Sequence, residues 1–336
     1  MSLFQTKAWQ SAWWDTWGVE HNLNLIRPWG QGNSGIYRTT YRIKGRLPIC
    51  SVEFVGCSYR HIKGTRTEYN RFSVPGETPE QVELSLEQLL SETTWSEAVF
   101  DDLLVNSYEF SVLKKIARNN RWMVRTVNSD SAWSVKTDGN FQEYLKQLGA
   151  NTRLRLYNRR KVLETMGDIN HENYAEKNRD PAKFLEKLND FHQLRWGKPV
   201  YGRFAKKFNT LFINRISAEG GKPELMILKC SGKPVSVLYN VRYQGRVYNL
   251  QSGFEEGLHP KLSVGTLHLG YAIENAFQDE QVSSFDMLAG SGKNENYKAR
   301  LATNSCALIS LMLVRRTHLK VIYAVKDRWN QIRMER

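Results

Sequence analysis

The stretch VSVLYNVRYQGRVYNLQSGFEEGLHPKLSVGT, residues 235–266, decides how the rest of the chain is read. Val235, Val237, Tyr239, Val241 and Tyr243 alternate on one face, so Pro234 to Tyr243 is expected as a strand of period two. Gln244-Gly245 supplies a tight turn and Arg246 to Ser252 the return strand, which makes a hairpin. The loop from Gly253 to Thr266 leads directly into a helix that carries Leu269, Ile273, Ala276 and Phe277 on one side. The first N–H groups of such a helix have no intrahelical partner and point back towards the loop. Gly265 allows close backbone approach, Ser263 or Thr266 can cap or donate, and Lys261 adds positive charge, a combination suited to a phosphate or pyrophosphate. Helices also begin after Ser, Gly and Thr because capping alone demands it, so both readings stand at this point.

Working towards the C-terminus, Val282 to Leu288 reads as a buried strand. It ends in Phe285-Asp286-Met287-Leu288-Ala289-Gly290, and Ser291-Gly292-Lys293 and Tyr297-Lys298 follow. A carboxylate, lysines and a phenol therefore gather past the carboxyl end of a strand, where ligand crevices of open α/β sheets lie. Gly290-Ser291-Gly292-Lys293 looks like part of a nucleotide-binding P-loop, but Met287 stands where the first glycine belongs and Asn294 where Ser or Thr does, which excludes a Walker-type ATPase. A short helix near Asn296 to Leu301, a strand at Ser305 to Val314 and a closing stretch complete the chain.

Working towards the N-terminus, Glu224 to Cys230 is a further strand, preceded by helices at Pro181 to Trp196 and around Phe204 to Ile216. The polar run DINHENYAEKNRD, residues 168–180, reads as a linker and Pro181 opens the next helix. This places one module at residues 1–167, a linker at 168–180 and a second module at 181–336, in line with a length of about two ordinary domains. Asn140 to Met166 is helical in character, with Arg153, Arg155, Arg159, Arg160 and Lys161 making it basic. Earlier, strands are expected at 36–43, 48–55, 122–127 and 132–135 and helices at 80–90 and 111–118. Trp9, Trp13 and Trp17 recur every four residues on a short helix, an aromatic stripe expected to face a core. The fold class is therefore mixed α/β.

The chain has a formal net charge of +14, which favours anionic partners without choosing among nucleic acid, phosphorylated cofactors and membrane surfaces. Four scattered cysteines give no support to a disulfide framework or a thiolate zinc site. There is no HExxH pair, no G-x-S-x-G elbow and no G-x-G-x-x-G fingerprint, so a zinc hydrolase, a serine hydrolase and a dinucleotide fold are not expected. The longest apolar run, Cys306 to Val314, is too short to cross a bilayer and the first residues lack a secretory pattern, so a cytoplasmic location is expected.

The order and spacing of several pieces resemble the CelD/BcsL-type acetyltransferases of the GNAT superfamily, relatives of the FemAB transferases. The pieces are Phe191-His192-Gln193-Leu194-Arg195-Trp196, Gly232-Lys233-Pro234-Val235, Gln251-Ser252-Gly253-Phe254, Leu262-Ser263-Val264-Gly265 and Phe285-Asp286 through Gly290 to Tyr297-Lys298. The resemblance implies two tandem GNAT-like modules, each a central twisted mixed sheet flanked by helices, with the first degenerate in cofactor binding. It also implies an acyltransferase that moves an acyl group from acyl-CoA, acetyl-CoA or longer, to an amine or hydroxyl acceptor, without a metal, in exopolysaccharide or cell-envelope biosynthesis.

In that resemblance the cofactor lies along Leu250, Gln251 and Ser252 and its pyrophosphate on Lys261, Leu262, Ser263, Val264, Gly265 and Thr266. The usual pyrophosphate pattern has more glycine than the single Gly265 here, and Lys261 or Leu262 stands in place of Arg or Gln. Asp286 is the first candidate for the base, His192 the second, and Tyr297 the proton donor to the leaving thiolate. Arg195, Trp196, Phe254, Lys293 and Lys298 are candidates for holding substrate. Two alternatives remain: FemAB-like transfer from aminoacyl-tRNA, suited to the basic charge, and a non-catalytic tandem binding module.

Overall fold

The computed structural model describes residues 1–30, 32–58, 61–177, 179–290 and 293–334, with the side chains of 177, 293–296, 330, 331, 333 and 334 outside the description. The strands are β1 (Asn24–Arg27), β2 (Ile36–Ile43), β3 (Leu47–Phe54), β4 (Glu97–Leu104), β5 (Met123–Lys136), β6 (Ile169–Asn173), β7 (Lys222–Cys230), β8 (Lys233–Tyr243), β9 (Arg246–Phe254), β10 (Ser284–Ala289) and β11 (Asn304–Val314). The helices are α1 (Lys7–Trp13), α2 (Pro79–Glu92), α3 (Tyr108–Asn119), α4 (Phe141–Gln147), α5 (Ala150–Arg153), α6 (Arg160–Glu164), α7 (Pro181–Trp196), α8 (Arg203–Ile216), α9 (Val264–Gln278), α10 (Lys293–Leu301) and α11 (Thr317–Met334). No helix among the described residues is long and apolar enough to cross a membrane.

The chain forms two compact units, residues 1–130 with 307–336 and residues 131–306. This division differs from the linker expected at 168–180. That segment contains β6, which pairs antiparallel with β7 from Ile169↔Cys230 to Asn173↔Met226. Its polar residues are used in place: Glu172 pairs with Lys229 at 2.6 Å, and Asn173 Oδ1 accepts the Leu225 N–H. A polar composition thus reflects an edge strand held by side-chain pairing.

In the first unit the strand order is β1-β2-β3-β4-β11-β5. Its core joins Val52, Phe54, Phe72 and Phe100 to the inward faces of α2 and α3. The tryptophan stripe faces the core as expected, with Trp9, Trp13 and Trp17 buried and the Trp9 indole N–H donated to Thr67 Oγ1 at 2.8 Å. β4, which has no counterpart among the expected strands, carries Asp101 and Asp102 in its interior. Arg66 makes the strand possible: its Nε and Nη2 donate to the two oxygens of Asp102 at 2.6 and 2.7 Å, and its Nη1 to Asp130 at 2.8 Å. A planar guanidinium satisfies both carboxylates at once.

In the second unit the order is β5-β10-β9-β8-β7-β6, mixed because β9 and β10 run parallel while β7, β8 and β9 form an antiparallel meander. The hairpin at 244–245 is present, with Gln244 and Gly245 both at positive φ as a two-residue turn requires. α7 packs close on β9, where a Cβ on Gly253 would come within 3.0 Å of Phe191. α9 buries Leu269, Ile273 and Ala276 against Val247, Phe285 and Met287, and Val264 and Leu267 against Leu228 and Val235. The basic stretch before α6 is anchored to α9. Leu156 is fully buried, and its carbonyl lies where a Cβ on Gly270 would come within 2.2 Å.

Candidate active site

β9 and β10 pair only as far as Ser284↔Arg246, Phe285↔Val247 and Asp286↔Tyr248. Both strands then become irregular. In β9 the register against β8 passes from Asn240↔Asn249 to Tyr239↔Gln251, which leaves Leu250 as an extra residue, a β-bulge. Such a bulge bends its strand and raises local twist. In β10 the register against β5 shifts between Asp286 and Ala289, and Leu288 adopts φ 62°. The two strands therefore part just beyond Tyr248 and Asp286.

At this end of β9 lies a cavity of about 220 Å³ lined by Leu238, Asn249, Ser252, Phe254, Leu269 and Tyr297, with Arg195 from the end of α7 and Gly265 and Thr266 from the first turn of α9. Ser263, the residue before α9, makes no side-chain cap to the helix. The first-turn N–H groups thus lack the Ser oxygen that commonly satisfies them, and they carry the positive end of the helix dipole. Phe254 lies against Gly265: a Cβ there would come within 2.4 Å of the ring. The Arg195 guanidinium stacks 4.4 Å over Phe254 and 4.7 Å over the exposed Trp196, and its Nε donates to Glu256 at 3.2 Å. Arg195, Trp196 and Phe254 are thus brought together at the mouth of the cavity, while Lys261 is exposed on the preceding loop.

His192 reaches β9 from α7, with Nε2 2.9 Å from the Ser252 carbonyl oxygen. A carbonyl only accepts, so Nε2 carries the proton and the neutral ring keeps a lone pair on Nδ1. Burial, with Arg195 nearby, lowers the His192 pKa against the opposing effect of the Ser252 bond, which favours this neutral ring. Tyr297 lines the cavity, and desolvation pushes its phenol up to about 12, so it remains protonated. The Ser252 N–H is taken by Gln251 Oε1 at 2.9 Å.

Asp286 and Lys298 are both engaged at the end of β10. The Asp286 carboxylate, 1% exposed, accepts the Leu288 N–H at 2.8 Å and faces Arg246 Nη1 at 3.3 Å. The Lys298 ammonium donates to the carbonyls of Leu288 and Ala289 at 3.1 and 2.8 Å. Both side chains hold the irregular end of β10 where it leaves β9. The Lys293 side chain lies outside the described residues.

Sequence reading missed Leu238, Asn249 and Leu269 as lining residues. Asn249 had a usable signal, since asparagine is depleted in strands. Its Nδ2 donates to Asn240 Oδ1 at 2.7 Å across the hairpin. A second cavity of about 180 Å³ lies further along α9, bordered by His171, Glu224, Asn240, His268, Tyr271 and Asn275. His268 is buried with Nδ1 2.9 Å from Ser236 Oγ, and burial pushes its pKa down to about 3. Among the described residues no cluster of three or more His, Cys, Asp or Glu side chains could hold a metal ion.

Residues 150–299 match a family model described as an acetyltransferase (GNAT) domain. The whole chain is similar in fold to FemX, with a TM-score of 0.56 and 10% identity over 93% of each chain. It is also similar to the C-terminal domain of a protein assigned as a lysylphosphatidylglycerol synthetase from Agrobacterium fabrum, with a TM-score of 0.52 and 11% identity over 94% of this chain and 89% of that one. A protein of unknown function from Bacteroides thetaiotaomicron VPI-5482 gives a TM-score of 0.53 and 9% identity, covering 92% and 90%. No curated protein matches the sequence. The GNAT match takes in β6 to β10 and α5 to α9, so it contains the strand divergence, the cavity and the loop before α9.

Proposed function

We propose that the chain is a GNAT-type acyltransferase that moves an acyl group from acyl-CoA, acetyl or longer, to an amine or hydroxyl acceptor. The observation that carries this reading is the opening between β9 and β10 past Tyr248 and Asp286, with the cavity running to the uncapped start of α9. A thioester arm laid against Leu250 to Ser252 would place a diphosphate at Lys261 to Thr266, where backbone N–H groups and the helix dipole favour anions.

In this mechanism the acceptor nitrogen attacks the thioester carbonyl carbon, and the developing oxyanion takes a backbone N–H from Leu250 or Gln251, since that of Ser252 is committed. His192 Nδ1 receives the proton from the nitrogen. The C–S bond breaks as the carbonyl re-forms, and Tyr297 gives its proton to the departing thiolate. Asp286, the other candidate for the base, is buried against Arg246 and Leu288, which favours a positioning role for it. Arg195 and Trp196 at the mouth would contact the donor head or an anionic acceptor.

A second reading, transfer from aminoacyl-tRNA, is favoured by the fold likeness to FemX and by the charge of +14. Against it, the basic segment before α9 is partly committed: Arg160 stacks on Tyr157 and Tyr271 and pairs with Glu274. An exopolysaccharide or cell-envelope acceptor belongs to the same proposal. A purely binding role is disfavoured by Gly265 and Thr266 lining an open cavity.

Calorimetry with acetyl-CoA, a longer acyl-CoA and tRNA at two salt concentrations separates these readings. Thioester binding that changes little with salt supports the first. A steep loss of tRNA affinity with salt, and no thioester binding, replaces it with the second.

A further inference from the structure

α11 turns one side into the fold and carries a stripe of exposed apolar side chains on the other. Leu319 and Tyr323 are buried, the Tyr323 hydroxyl donates to Glu97 at 2.5 Å, and one turn on Asp327 receives Arg125 at 2.5 and 2.6 Å. These residues recur every four positions and fix which side of the helix faces inwards. At 100° per residue, Val321, Val325 and Ile332 fall on the opposite side, with Ile322 and Trp329 beside them. All five are between 45% and 66% exposed.

Charge lies along the edges of this outward stripe. Arg328 borders it on one side and Lys326 on the other, both exposed, and Arg315 and Arg316 are exposed just before the helix begins. Asp327, the acidic group within the described helix, is already paired with Arg125. A helix with an outward apolar stripe ending in Trp and Ile, bordered by Lys and Arg, is suited to the headgroup boundary of a membrane.

We infer that α11 docks this protein on an anionic lipid surface, with Val321, Val325, Trp329 and Ile332 entering the acyl boundary and Lys326 and Arg328 meeting the phosphates. Charge complementarity selects this occupant. Stacking α11 on the same helix of a second copy would bring Lys326 and Arg328 of both against each other, whereas anionic headgroups neutralise them. The inference is independent of the acyl-transfer reading, since it uses none of the residues around the cavity.

The test is co-sedimentation of the full chain with vesicles of phosphatidylcholine alone and of phosphatidylcholine with phosphatidylglycerol. The chain is expected to pellet with the anionic vesicles, to stay in solution with the neutral ones, and to be released by salt. Val325→Glu with Trp329→Glu should weaken anionic-vesicle binding about tenfold or more. Lys326→Glu with Arg328→Glu, which leaves the apolar stripe intact, should weaken it about tenfold as well. Thermal melting of both variants close to that of the parent keeps the comparison sound, because neither touches the buried face. Failure of the parent to bind anionic vesicles overturns the inference. So does a parent dimer that Val325→Glu with Trp329→Glu converts to monomer, which would make the stripe a self-association surface.

Discussion

The ring of Phe254 occupies the space that any side chain on Gly265 would need, since a Cβ there would meet ring atoms at 2.4 and 2.5 Å. This contact sets the distance between the end of β9 and the start of α9, and hence the width of the cavity mouth. Gly265→Val is expected to push Phe254 and Arg195 aside and to weaken acyl-CoA binding by more than about tenfold, because a β-branched group adds volume that the ring cannot absorb. Calorimetry with acetyl-CoA reads it. Unchanged affinity would remove the loop from the site.

His192 is expected to work as a base in its neutral form. Its pKa lies below the ordinary 6.5, so the rate should be level through neutral pH and fall only as the pH drops through that lowered value. His192→Gln should cut kcat/KM by about 100-fold or more and abolish this acid limb. A variant that keeps the limb would assign it to another group.

Lys298 tests whether its charge serves the ligand or the fold. Its ammonium is bound to the carbonyls of Leu288 and Ala289, so Lys298→Met is expected to lower stability by about 1–2 kcal/mol in urea unfolding. Binding of acetyl-CoA should change by less than about threefold if charge at this position serves only the strand end. A large loss of affinity with unaltered stability would return Lys298 to the site.

Buried His268 makes the second unit acid-sensitive. The unfolded chain takes up its proton near pH 6.5, whereas the folded chain resists protonation to about 3, so the folded state loses stability as pH falls through this window. The slope is at most about 1.4 kcal/mol per pH unit for one group. His268→Asn should flatten the dependence relative to the parent between pH 6 and pH 4, roughly the interior of that window. Parallel unfolding curves for the two proteins would contradict it.

The acidic interior of β4 depends on Arg66, which is one-third exposed while Asp102 and Asp130 are almost fully buried. Arg66→Met would leave both carboxylates without their guanidinium, and a loss of about 3 kcal/mol is expected in denaturant unfolding. Asp102→Asn should cost less, since it removes a charge together with its need for a partner. A smaller loss for Arg66→Met than for Asp102→Asn would contradict this account of β4.

Within the second unit, the sequence alone determined the elements whose signal is local. Alternation marked β8, the Gln244-Gly245 turn closed the hairpin, Pro181 opened α7, and the apolar spacing of Leu269 and Ile273 marked α9. The family match over residues 150–299 is consistent with that reading. Tertiary structure decided what rests on strand register and on the partners of polar side chains. The Leu250 bulge exists only against the register of β8, and the opening beside it only because β10 turns away after Asp286. The carboxylate of Asp286 faces Arg246 and the ammonium of Lys298 donates to two carbonyls, contacts that residue type alone does not reveal. β4 and β6 escaped the pattern for the same reason: their polar residues are matched by Arg66 and Lys229, and periodicity carries no record of a partner that folding brings close.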